Sequence, residues 1–196
     1  MLEKVAEPKK LDPRIKRTRQ LLVTALMELM MEKSFQAITV QDIAERATIN
    51  RVTFYAHFED KFALLEYMMR VEFQARVRSR LPAGSELTPD NLALLIQMIA
   101  ELLAEMTAHC PPPHGQFDTL MEKQVKAGIY EVLHAWLTQM PAATTRPRPS
   151  LEQVATISSW AIYGAAVEWS NGRRRETANE FAHQVLPLIL ANLQPK

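Results

Sequence analysis

Apolar residues recur at helical spacing through most of the chain, separated by proline- and glycine-marked breaks. Asp12-Pro13 offers an N-cap followed by proline in the first turn. Behind it, Ile15, Leu22, Leu26 and Leu29 share one face, while Arg14, Arg17 and Glu28 lie largely away from it. That helix is predicted to stop near Lys33-Ser34. Thr39 is then an N-cap, and Asp42, three residues on, forms a capping box with a shorter acid. The helix it opens runs from about 40 to 47, a turn takes 48 to 50, and Asn50 caps a helix over 51 to 57. A longer helix follows from Asp60 through Phe62, Leu65, Met69 and Phe73 to about Ser79.

Beyond the break at "LPAGSELTPDN", Thr88-Pro89 starts a helix carrying Leu92, Leu95, Ile99, Leu102 and Met106 to about His109. "CPPPHG" stops it. Residues 115 to 140 are predicted helical, in one piece or in two around Gly128. "PAATTRPRP" is a loop. Ser150 with Gln153 makes a capping box for a helix to Ser170, which Asn171-Gly172 ends with a pair suited to left-handed geometry. A last helix is expected over about 174 to 193. With no cluster of alternating β-branched runs, the fold class is all-α.

Composition adds limits. The 196 residues are 47% hydrophobic, enough for a sizeable core, and the formal net charge is +1, so total charge says little about partners. Its distribution says more: seven Lys or Arg stand against three acids in residues 1 to 19, leaving the remainder slightly acidic. Residues 1–11 read as a flexible basic tail, which charge alone allows to be either a polyanion contact or a plain solvated tail. The single cysteine, Cys110, excludes an intramolecular disulfide. No apolar run approaches the roughly 20 residues of a membrane span. The N-terminal stretch also has no apolar signal core, so a cytoplasmic location is expected.

The segment with the most chemistry is residues 39 to 58. Its two helices, each of seven or eight residues, are too short to stand alone and need a shared core. Ile43, Ala47, Ile49, Phe54 and Phe58 supply it, and Ala44 is small enough for the second helix to cross closely. The second helix then has Arg51, Val52, Thr53, Tyr55, Ala56 and His57 left over. That set offers donors for phosphates, a guanidinium for guanine and methyl surface for thymine, the equipment of a helix entering a major groove.

"ITVQDIAERATINRVTFYAHFEDKFALLEYM" resembles the DNA-binding signature of the TetR/AcrR family of bacterial transcription regulators. The resemblance rests on Thr39, Ile43, Ala44, Ala47, Thr53, Phe54, Tyr55, His57, Phe58, Lys61 and Leu64 at fixed spacing. Two positions depart from it: Thr48 stands where glycine is usual in the turn, and Asn50 where serine is usual. "A-x-I-N-R-x-T-F-Y-x-H-F-x-D-K" marks a branch of that family. The resemblance implies that Thr39 contacts phosphate and Gln41 reaches the groove. It implies that Arg51, Val52 and Thr53 face bases or nearby backbone, that Tyr55, His57 and Lys61 bind phosphate, and that Asn50 belongs to the same DNA-binding set.

For the rest of the chain the resemblance implies a helical ligand-binding and dimerisation domain. The domains are then expected at 12–60, a three-helix helix-turn-helix DNA-binding domain, and 61–196. The last two helices would pair with those of a second subunit, Gly164, Ala165 and Ala166 permitting close approach and Leu186, Ile189 and Leu190 supplying apolar area. Met98, Met106, Phe117, Met121, Tyr130, Trp136, Trp160 and Tyr163 are the candidate effector-pocket residues, although Met and aromatics at this spacing also build plain cores. With no charge standing out among them, an apolar or aromatic effector is expected.

"HCPPPH" brings His109, Cys110 and His114 close in sequence, but a chelate needs a fourth ligand and the triple proline favours a stiff loop, so no metal is expected. Neither a phosphate loop, a nucleophile elbow nor a paired-carboxylate site is present, so no catalytic residue, enzyme activity or cofactor is expected. The reading is a homodimeric regulator, a repressor that leaves a palindromic double-stranded operator when a small-molecule effector binds. The alternatives are a TetR-type activator, or a helical dimer that binds a small molecule or protein without reading DNA.

Overall fold

The computed structural model describes residues 12–109, 116–140, 149–172 and 176–193, and the side chains of 107–109 and 116–118 lie outside that description. Among the described residues are eight α-helices, one 3-10 turn and no strand. The fold is all-α. The helices are α1 (Pro13–Glu32), α2 (Val40–Arg46), α3 (Arg51–Tyr55), α4 (Lys61–Arg80), α5 (Pro89–His109), α6 (Gln116–Gln139), α7 (Leu151–Asn171) and α8 (Ala178–Leu193), with the 3-10 turn at Phe35–Ala37. The chain divides into two compact units after Met68, within α4, eight residues past the boundary expected from sequence.

In the first unit the caps fall where the sequence puts them. Asp12 accepts from the Arg14 N–H at 2.9 Å. Thr39 and Asp42 form a reciprocal capping box, and Asn50 caps α3 through the Val52 N–H at 2.9 Å. The buried face of α1 is Leu22, Val23, Ala25, Leu26 and Leu29, whereas Ile15 is exposed. α1 packs against α2, and Ile38, Ile43, Ala44, Phe54, Phe58, Leu64 and Leu65 of the same unit are buried too. At about 1.5–3 kcal/mol for each large apolar side chain removed from water, this shared core is what holds helices as short as α2 and α3. Arg46 ties the end of α2 back to α1 through Glu32 at 2.8 Å and Glu28 at 3.4 Å. The 3-10 turn at Phe35–Ala37 has no counterpart in the sequence reading; it has no side-chain cap, and Phe35 at its start is buried.

In the second unit α7 is central, packing against α5, α6 and α8. Its buried face is Val154, Ala155, Ser158, Ser159, Ile162, Ala166 and Ser170. The part of α4 beyond Met68 adds Phe73 to the core and is bridged to α5 by Arg76–Glu105 at 2.7 Å and Arg80–Glu101 at 2.8 Å.

Of the two readings left open for residues 115 to 140, the structure has the single helix: α6 runs unbroken through Gly128, where an added Cβ would lie 2.6 Å from the Phe73 ring. Two details differ from the sequence reading. First, Gly172 is extended at φ −75° and ψ −179°, not left-handed; α7 ends with its N–H donating to Glu168 O at 3.0 Å. Second, α8 starts at Ala178 and not near 174, because Thr177 and Glu180 form a capping box, Glu180 Oε2 accepting from the Thr177 N–H at 2.8 Å and Glu180 N–H donating to the Thr177 hydroxyl at 3.2 Å. That signature lies in the sequence as T-A-N-E.

Candidate nucleic-acid interface

The turn between α2 and α3 sets how α3 is presented. Ile49 N–H reaches back to Ala44 O at 2.9 Å and Thr48 N–H to Glu45 O at 3.0 Å, the paired bonds of a Schellman motif. That motif requires a left-handed residue at its corner, and Thr48 takes it at φ 55°, the one non-glycine residue with positive φ among those described. Two residues on, Asn50 is back in extended backbone at φ −79° and caps α3.

With Phe54 fully buried, the rest of α3 is turned outward. Arg51 is exposed, Val52 is 75% exposed, Tyr55 51% and Thr53 half-buried. The Tyr55 ring stands edge-on to Phe54 at 5.5 Å, which fixes its direction while leaving its outer end in solvent. His57 is half-buried beyond the helix end, and burial first, then the nearby Arg19 charge, holds its pKa below the usual histidine value. Arg19 in turn lies over the Phe58 and Tyr67 rings at 5.5 and 5.2 Å.

On α2, Thr39 and Gln41 are exposed, and both side chains have partners: the Thr39 hydroxyl donates to Asp42 Oδ2 at 2.8 Å, and Gln41 donates to Glu45. Asp42 also pairs with Lys33 at 2.9 Å. That hydrogen bond, with those from the Thr39 N–H and hydroxyl, holds its carboxyl down at about 2. Lys61, at the first position of α4, faces inward and donates to three backbone carbonyls. The structure thus gathers Arg51, Val52, Thr53 and Tyr55 on one outward helix, places Thr39, Gln41, Asn50 and His57 around it with their side chains partly engaged, and turns Lys61 away into the loop before α2.

The candidate effector residues are spread more widely. Met98 and Trp136 are core residues, 2% and 3% exposed, the Trp136 indole donating to Ser85 Oγ at 3.3 Å. Met106, Met121, Tyr130 and Tyr163 are half-buried against that core. Phe117's side chain lies outside the described residues, as do Cys110, His114 and the side chain of His109. Tyr130 and Trp160 line a surface groove of about 490 Å³ together with Thr119, Glu122, Lys123, Lys126, Ala127, Thr156 and Ser159. Within it the Lys126 ammonium sits 3.4 Å from the centroid of the Trp160 ring and 2.6 Å from Glu122. Sequence reasoning missed Lys126, although its i, i+4 spacing to Tyr130 puts both on one face of α6. Among the described residues no group of acids, histidines or cysteines could hold a metal ion, and no helix is long and apolar enough to cross a membrane.

Residues 22–68 match the model of the bacterial regulatory proteins of the tetR family. The first unit carries a TetR-type helix-turn-helix domain. The chain is similar to YxbF of Bacillus subtilis (strain 168), an uncharacterized HTH-type transcriptional regulator, with 38% identity over 63 residues that span 32% of this chain and 17% of that one. Among solved structures it resembles FadR from Bacillus subtilis in complex with stearoyl-CoA, with a TM-score of 0.56 and 17% identity over 89% of this chain and 99% of that one. It also resembles RolR in complex with resorcinol, with a TM-score of 0.59 and 16% identity over 92% of this chain and 93% of that one. At these identities the likeness to solved structures is one of fold, and it extends well beyond the TetR-type domain.

Proposed function

We propose that this chain is a ligand-responsive, DNA-binding transcription regulator, a repressor that leaves a palindromic operator when a small molecule binds. The observation that carries the reading is α3: a short, capped helix in a TetR-type domain, with Arg51, Val52, Thr53 and Tyr55 outward and Phe54 locked in the core. Arg51 reads a base edge, Val52 and Thr53 contact bases or adjoining backbone, Gln41 reaches the groove, and Thr39, Tyr55 and His57 set the register on phosphates, with Asn50 capping α3 beside them. The A-x-I-N-R-x-T-F-Y-x-H-F-x-D-K segment, from Ala47 to Lys61, supports placing the chain in that branch of the family.

The protein acts as a cytoplasmic homodimer through α7 and α8. Supporting this, Ile157, Trp160 and Gly164 lie along one outer stripe of α7, Ile157 and Trp160 each 60% exposed, with open space where a Gly164 Cβ would stand. On α8 the exposed large apolar side chain is Leu188, at 69%. The residues first assigned to the interface are less available, since Ala166 and Ile189 are buried and Leu186 and Leu190 pack against the chain's own core. The α6–α7 groove, walled by Ala127, Tyr130 and Trp160, is the place for an aromatic or apolar effector. An effector acts by favouring the dimer state whose recognition helices are wrongly spaced for two successive major grooves.

Fluorescence anisotropy with duplexes from the DNA upstream of the chain's own coding region tests the reading. The wild type binds one duplex selectively and in a salt-dependent way, and Arg51→Ala loses about 1–3 kcal/mol of discrimination against random DNA. Undiminished discrimination in that variant would remove Arg51 from base readout. The absence of salt-dependent binding to any duplex would favour a dimer that does not read DNA.

A further inference from the structure

The groove between α6 and α7 carries charge as well as aromatic walls. Lys123 and Lys126 line it with one acid, Glu122. Lys123 is exposed, whereas the Lys126 side chain is only 14% exposed. The Lys126 ammonium lies 3.4 Å from the Trp160 ring centroid and 5.8 Å from that of Tyr163. Ring faces hold a cation in place without neutralising its charge. An ammonium has three N–H donors, and among the described residues Glu122 Oε1, at 2.6 Å, is the hydrogen-bond acceptor it meets. Glu122 is an i, i+4 neighbour that stays 46% exposed, a weak tie that a ligand carboxylate replaces at little loss. The hydroxyls of the α7 wall are spent on their own helix: Thr156 donates to Glu152 O at 2.7 Å and Ser159 to Thr156 O at 2.8 Å. Ala127, Tyr130 and Trp160 give the groove its apolar surface, and the His134 ring, stacked at 5.4 Å, braces Tyr130.

We propose that this groove binds an aromatic carboxylate, the carboxylate taking the place of Glu122 at Lys126 and the ring lying on Ala127 between Tyr130 and Trp160. It rests on the ligand-responsive reading above, and it makes the effector an acid. Two lysines against one acid favour an anion. A cationic ligand would have to push a tethered ammonium off Trp160 and then sit beside both lysines. A neutral ring would gain the apolar contact and leave the lysine donors unused. Trp160 serves the groove with the side of its ring that Lys126 covers, which leaves its outer edge to the stripe along α7.

Isothermal titration calorimetry of the full chain tests this with four probes: 2-naphthoate, the saturated decahydro-2-naphthoate, 2-naphthylmethanol and 2-naphthylmethylammonium. Naphthoate is expected to bind roughly tenfold more tightly than the alcohol and several-fold more tightly than the saturated acid, with the ammonium weakest. Lys126→Met is expected to erase the preference for naphthoate over the alcohol and to leave alcohol binding unchanged. Glu122→Gln is expected to tighten naphthoate by about twofold, because the competing carboxylate is gone. An alcohol, saturated acid or ammonium that binds as tightly as naphthoate overturns the proposal, and so does a naphthoate preference that survives Lys126→Met. No binding of any probe up to about 1 mM also overturns it, and leaves the groove to a second copy of the chain. Should Lys126→Met fail to fold, the order of the probes on the wild type and the Glu122→Gln variant decide, naphthoate binding that is not tightened in that variant overturning the site. Operator anisotropy separates the site from the reading beneath it. Naphthoate that binds through Lys126 without releasing operator keeps the site and sinks the effector reading. Release by naphthoate that persists in Lys126→Met keeps the effector reading and sinks the site.

Discussion

A β-branched residue is poorly suited to the left-handed region, since its Cβ crowds the following carbonyl; the usual cost for a non-glycine residue there is about 1–2 kcal/mol. Thr48 bears that cost at φ 55° because the Schellman bonds of Ile49 and Thr48 and the burial of Ala44 and Ala47 fix the corner around it. Replacing it with glycine relieves the crowding but gives the unfolded chain more freedom. Thr48→Gly is therefore expected to stabilise the protein by roughly 0.5–1 kcal/mol, visible as a higher urea midpoint at unchanged slope. A lower midpoint would mean that the threonine side chain makes a compensating contact. The sequence shows that position 48 is unusual for its motif, but the sign of φ is invisible there. It depends on whether the helix end keeps its bonding pattern when glycine is absent, and here the pattern prevails over the residue.

At the scale of elements, the caps were the most legible feature. Asp12, Thr39 with Asp42, Asn50 and Ser150 with Gln153 each satisfy the N–H groups that their spacing suggests. Cap chemistry is local, so a few residues carry it. Gly128 shows the opposite case. Its use depends on Phe73, on a helix 55 residues earlier, and no local pattern reports a distant ring. Gly128→Ala improves intrinsic helix propensity by about 1 kcal/mol, yet the new methyl would meet a ring that is itself only 6% exposed. Overpacking of this kind costs about 1–3 kcal/mol, so the variant is expected to be less stable by roughly 1 kcal/mol in calorimetry or urea unfolding. A gain in stability would mean that Phe73 rotates away freely. The inward turn of Lys61 was illegible for the same reason: its partners are backbone oxygens, which leave no mark in a sequence.

For the whole molecule, the outer stripe of α7 supports the proposed pairing of two chains. A solvated helix face would not place Ile157 and Trp160 together at 60% exposure. If the proposed dimer forms through this stripe, Ile157→Lys is expected to give a monomer at micromolar concentration in sedimentation velocity, and to weaken operator binding with it, since one half-site alone gives little affinity. A variant that stays dimeric would place the interface elsewhere. The all-α class follows from periodicity. Which residues of the last two helices face outward does not, because Leu186, Leu188, Ile189 and Leu190 differ only in register.

The ammonium over Trp160 has an optical consequence. A cation resting 3.4 Å from an indole centroid perturbs its excited state, so Trp160 emission is expected to change when Lys126 leaves the ring. Trp136 is enclosed in the core and Trp169 is stacked on Phe181 at 5.5 Å, and neither lines the groove. A molecule that draws Lys126 off the ring is then expected to show itself in the emission of one tryptophan of three, without a label.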